Sequence, residues 1–175
     1  MLRIAALSLL SLPLLPFAAS EAPAESVPGV AVHCQVPCGI YGDKIRIDLM
    51  MEDAATIAKG MKMLQSLGAE ESSNFNQIVR WTMNKEQHAA NIQETVASYW
   101  LAQRIKAPKD EAGQAKYVRQ LMLMHNITVA AMKCKQGTDS AWVENLRTNV
   151  LEFSKTYFKQ EDLKHIQSHH GDHKH

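Results

Sequence analysis

Past Gly42 the apolar residues recur at steps of three and four. Met50, Ala54, Ile57, Met61 and Leu64 form a first seam. Ile78, Thr82, Lys85, Ala89, Ile92, Val96 and Tyr99 form a second, with one lysine inside it. Tyr117, Leu121, Met124, Thr128 and Ala131 form a third, and Trp142, Leu146, Asn149, Phe153 and Tyr157 a fourth. Residues spaced this way share one stripe of a helix, and a stripe of this width packs against partner helices. The spacing therefore predicts four amphipathic helices, and no strand pattern or internal repeat competes with them.

The breaks fall between the seams. Asp43 is placed to cap the first helix, which "LGAEESSN" ends around Gly68. Asn74 or Ser73 caps the second, and "KAPKD" stops it, because Pro108 cannot continue the hydrogen-bond ladder and restrains Ala107. Asp110 caps the third, and "QGTDS" turns into the fourth through Gly137. Short connections between long helices favour antiparallel neighbours. The expected fold is all-α: an antiparallel up-down four-helix bundle over residues 33–165.

The first twenty residues do not fit this pattern. "MLRIAALSLLSLPLLPFAAS" has one basic residue, Arg3, then an apolar stretch from Ile4 to Ala19 that is short and broken by proline. It reads as a signal peptide over 1–20, cut after the small residues that end at Ser20. Residues 21–32 follow as a spacer without periodicity. Export, periplasmic or secreted, is the expected location, with no membrane association after cleavage. At the other end, residues 166–175 complete a stretch, "HIQSHHGDHKH", that holds five of the eight histidines. Such a tail is expected to be disordered, with incidental metal affinity.

Composition narrows the class. With 175 residues and 46% hydrophobic content the chain suits one domain with a sizeable core. With 19 basic and 18 acidic residues it has no charge excess to draw it to nucleic acid.

The chemistry is concentrated in "VHCQVPCGIYG", residues 32–42, which carries two of the three cysteines. A disulfide between Cys34 and Cys38 would close a short loop stiffened by Pro37. A thioredoxin-like pair would need two residues between the cysteines, and a zinc finger would need further ligands. A fourth reading treats the preceding residues as removable. A cut between Val32 and His33 would free an α-amine. That amine, the Cys34 amide nitrogen and the two thiolates can surround one metal in a plane, a donor set suited to Ni(II) or Cu(II), with the imidazole available as a fifth ligand. Pro37 fixes the turn and Gly39 permits it. Three functions follow from these residues: a redox metalloenzyme, an exported metal-binding or metal-delivery protein, and a dithiol oxidoreductase using Cys34 and Cys38. Cys134, alone near the end of the third helix, reads as a buried or idle thiol.

"HCQVPCGIY" resembles the metal hook of the nickel superoxide dismutases, whose mature chain begins His-Cys-x-x-Pro-Cys-Gly-x-Tyr. His33, Cys34, Pro37, Cys38, Gly39 and Tyr41 match it. The resemblance covers roughly residues 33–165, strongly at the hook and weakly in the helices. It implies nickel held by His33, Cys34 and Cys38 in an N-terminal hook, and superoxide as the substrate, disproportionated to O2 and H2O2. It implies that Tyr41 lines the approach to the metal. It also implies a homohexamer, and a maturation protease to expose His33, since Val at the cut site is foreign to signal peptidase. In the family an acidic residue and an arginine hold the histidine. Asp48 stands near the first place and His88 at the second, with Arg80 as a substitute for the missing arginine.

Overall fold

The computed structural model describes residues 41–70 and 74–170. The expected hook ligands His33, Cys34 and Cys38, the expected signal peptide and spacer, and the last five residues lie outside them. Helix α1 spans Asp43–Gly68. Helix α2, Phe75–Glu94, passes directly into a π-helical segment, Thr95–Arg104. Helices α3 (Gln114–Gln136), α4 (Ser140–Tyr157) and α5 (Gln160–His170) follow, with no strand among the described residues.

Side-chain bonds between helices give their directions. Lys85 and Gln93 of α2 reach Cys134 and Thr128 of α3, so the two run antiparallel. Gln120 reaches Thr156 and Asn126 reaches Asn149, which makes α3 and α4 antiparallel. Gln65, late in α1, donates to the carbonyl of Thr138, just before α4. The result is the expected up-down bundle of four helices, with α1 packed on α2 and α4, and α3 on the same two. A fifth helix lies against α1.

The seams form the core, with two shifts. Met50, Ala54, Ile57 and Met61 are buried as expected, joined by Ile47. In α2 and the π segment, Lys85, Ala89, Ile92, Val96 and Tyr99 are buried. In α3 the stripe runs through Leu123, Met124, Ile127, Ala131 and Cys134, leaving Tyr117 and Leu121 at its edge. In α4 it runs through Val143, Leu146, Val150 and Phe153. Trp142 and Asn149 are each one residue off it, and Val143 and Val150 take the buried places at nearly the same steps.

Two expected helix ends differ. Gly42, not Asp43, occupies the position before α1, and it makes no side-chain cap bond. Asp43 is already helical, and its carboxylate is used elsewhere. The third helix begins at Gln114; Asp110 instead accepts from the Gly113 amide at 3.0 Å inside the preceding turn. The second helix ends at Arg104, with Ile105 extended just before "KAPKD", close to the expected stop. Asn74 does cap α2, accepting from the Gln77 amide at 3.2 Å, and Asp139 caps α4 through the Ala141 amide at 2.9 Å.

Helix α5 was not expected. It continues to His170, across the boundary at 165 where a disordered tail was drawn. Its Leu163 and Ile166 are buried, so an apolar pair at helical spacing docks this segment on the bundle.

Candidate active site

The described chain begins at Tyr41, three residues after Cys38, so the structure shows where the hook joins the bundle. This junction lies at the end of the bundle where α1 starts and the π segment and α4 finish.

Asp43 is the centre of the junction. Its Oδ1 accepts from the Tyr99 hydroxyl at 2.6 Å and Arg104 Nε at 2.8 Å. Its Oδ2 accepts from Arg104 Nη2 at 2.6 Å and the Tyr157 hydroxyl at 2.9 Å. A carboxylate offers about four lone-pair sites, and all are used here. The side chains of Arg104 and Asp43 keep only 25% and 17% of their exposure, so water screens the pair weakly.

The π segment explains how one helix supplies both Tyr99 and Arg104. In an α-helix, residues five apart point in different directions. In a ladder of i→i+5 bonds they return to nearly the same face. The bond from the Ile105 amide to the Trp100 carbonyl, 2.8 Å, closes that ladder at its end.

The charges respond to this packing. Burial pushes the Asp43 carboxyl up, but hydrogen bonds from Arg104, Tyr99 and Tyr157 outweigh it and hold the group below its ordinary range. Burial and the bond to Asp43 raise the Tyr157 phenol to about 12 and the Tyr99 phenol higher still. Both phenols are therefore proton-bearing donors at neutral pH.

Tyr41 sits on this base. The Arg104 guanidinium lies 4.3 Å from the centre of its ring, close enough for a cation–π contact. The ring of Tyr99 meets it edge-on at 6.1 Å. The Tyr41 hydroxyl donates to Gln103 Oε1 at 3.3 Å. An open cavity of about 540 Å3 lies alongside, lined by Tyr41, Gly42, Asp43, Tyr157, Phe158 and Lys159 among others.

The other residues singled out in the sequence lie away from this base. Asp48 is half-buried further along α1, and Arg80 is exposed near the start of α2. His88 Nδ1 lies 2.5 Å from Asp53 Oδ1, to which Asn91 also donates. The acidic partner of His88 is thus Asp53. Cys134 is buried, and burial pushes its thiol up to about 11, so it is a poor thiolate donor. Among the described residues no three His, Cys, Asp or Glu side chains gather as a metal site.

Asp43, Tyr99, Arg104 and Tyr157 were missed as site residues. One signal was present: Tyr99 and Tyr157 both stand in core seams, and a buried phenol needs a hydrogen-bond partner.

A family model described as nickel-containing superoxide dismutase matches residues 28–161. The match takes in the whole "HCQVPCGIY" stretch and helices α1 to α4, and it ends two residues into α5. No curated protein and no solved structure matches the chain.

Proposed function

We infer the working of the site from one premise: the chain belongs to the nickel-containing superoxide dismutase family, and it is an oxidoreductase that disproportionates superoxide to O2 and H2O2 with nickel as cofactor. The observation that carries the assignment to the hook is that the family match, over residues 28–161, includes "HCQVPCGIY" together with the bundle.

His33, Cys34 and Cys38 hold the nickel. Their donors would fit it: an α-amine, a backbone amide, two soft thiolates and an imidazole are ligands that suit nickel. Cys134 does not compete, because its thiol stays protonated and buried. The nickel, when bound, supplies a one-electron couple between its divalent and trivalent states. Tyr41 screens the approach from the cavity beside α1. Its proton is directed at Gln103, so its oxygen is left free to accept from water, and water held there would carry the protons that peroxide requires.

Maturation supplies the amine. The chain is exported, loses residues 1–20 as a signal peptide, and a second protease removes residues 21–32. A homohexamer is the working form. Support for assembly comes from apolar residues left outside the core. Phe75, Val79 and Met83 stand four apart on α2 and are 74%, 55% and 67% exposed, and Ile45 and Leu49 stand four apart on α1. An exposed apolar strip such as that of Phe75, Val79 and Met83 is the kind of surface that another chain covers.

The test compares the full chain with one beginning at His33, both supplied with nickel. The matured chain should destroy superoxide and the full chain should not, because its Val32–His33 amide offers no amine. Cys34→Ser and Cys38→Ser should abolish activity, and Cys134→Ser should leave it nearly unchanged. Dismutase activity in an uncut, nickel-treated chain, shown intact by mass spectrometry, would overturn this assignment.

A further inference from the structure

We propose that Asp43 and Arg104 are positioning residues for the nickel hook: together they fix the point where it leaves the bundle and hold the ring of Tyr41. The proposal rests on the dismutase reading for what the hook does, but its structural part stands on the junction alone.

Three observations converge. First, the Asp43 carboxylate is saturated by donors from two other elements, the π segment and α4. A side chain bonded from two sides at 2.6–2.9 Å has little freedom, and Asp43 is only five residues from Cys38. Secondly, Arg104 uses the edge of its guanidinium on Asp43 and its face on Tyr41. One rigid, planar group therefore links the base of α1 to the residue that guards the hook. A lysine could keep the charge but not the fork or the flat face. Thirdly, the second helix ends in a π segment at this place, which brings Tyr99 and Arg104 onto the same carboxylate. The fold thus departs from its regular ladder where the hook is anchored.

Anchoring matters because a short chelating peptide that is free to move must be ordered before it can close on a metal. Fixing one end lowers that entropy cost and tightens binding without adding a ligand. It also keeps Tyr41 at one distance from the hook during turnover.

Asp43→Asn and Arg104→Lys test this in the chain beginning at His33. Hydrogen exchange of the metal-free protein is read on a peptide covering Tyr41 to Arg46, where the Arg46 amide bonds the Gly42 carbonyl. Nickel affinity is read by competition with a chelator. Both variants should exchange that peptide at least about tenfold faster, and both should bind nickel about tenfold more weakly. Val150→Ala, a core truncation in α4, should lose stability while changing neither reading. Arg104→Lys and Tyr41→Leu combined should weaken nickel binding by less than the product of their separate effects, because they remove the same contact. Wild-type nickel affinity in both junction variants, whatever the exchange shows, overturns the proposal. So does an equal loss in Val150→Ala, which would reduce the effect to stability. Failure of the dismutase reading would look different: wild-type matured chain would bind nickel without destroying superoxide.

Discussion

A single carboxylate shows how far a sequence can mislead about one residue. Asp43 stands where a helix cap belongs, and it was read as one. Local bonds would have made it accept from an amide one turn on. Instead Arg104, Tyr99 and Tyr157, which are 61, 56 and 114 residues distant, offer stronger donors, and the charge-assisted bonds win. Nothing in the neighbouring residues announces partners so remote. The hook, which lies outside the described residues, is proposed on the opposite ground, since its expected donors lie within six residues and their chemistry needs no fold to be recognised. The carboxylate also sets a pH dependence. Its folded pKa lies below the ordinary value, so its stabilising contribution is complete above the usual carboxylate range and is lost as pH falls through the folded pKa. Asp43→Asn should cost about 2 kcal/mol at pH 7, less than the ~3–5 of a fully buried pair, because both side chains keep some water contact. The gap in melting temperature between wild type and variant should shrink as melts are taken below about pH 4. A gap unchanged at pH 2 would mean that charge contributes nothing.

Elements were more readable than residues because a helix repeats its instruction at every turn. The first two seams name the buried residues of α1 and α2 closely, including the lysine that looked out of place. Lys85 is 2% exposed, and its Nζ donates to the carbonyls of Cys134 at 2.5 Å and Lys135 at 2.7 Å. These are last-turn carbonyls of α3, which have no partner in their own helix. Burial lowers the pKa of the ammonium, yet it sits where the helix dipole favours a cation. Gly60 of α1 makes room for it: a methyl there would lie 3.2 Å from the Lys85 Cβ. Lys85→Met should therefore destabilise by about 1–3 kcal/mol, since it strands two buried acceptors. Urea denaturation should show the loss, and amide exchange in the last turn of α3 should rise with it. A variant as stable as wild type would show that water replaces the ammonium freely. The π segment was not readable. "TVASYWLAQR" has ordinary helical composition, and only the tertiary demand for Tyr99 and Arg104 on one carboxylate distinguishes its winding.

For the whole molecule, the four-helix plan followed from the seams, while the fifth helix did not, because eleven residues with two buried apolar positions carry too faint a period. Helix α5 extends past Glu161, where the family match ends. It binds the bundle through Leu163, Ile166 and an ion pair, Lys44 to Asp162, at 3.1 Å. The exposed ion pair adds little. Each buried aliphatic side chain is worth about 1.5–3 kcal/mol, so ending the chain after Lys159 should remove roughly 3–6 kcal/mol. Ending it after His170 should remove almost nothing. Thermal melts of the two truncations decide the matter, and equal midpoints would show that α5 is not part of the stable unit. The junction at Asp43 has a further consequence, one of timing. During synthesis the hook is the first part of the mature chain to leave the ribosome. Its anchor is among the last to be completed, because Tyr157 is made 114 residues after Asp43. Contacts so distant in sequence form late in folding. On the anchoring proposed above, a hook whose anchor is not yet built is not set for metal, and nickel would be captured well only by molecules that have already folded.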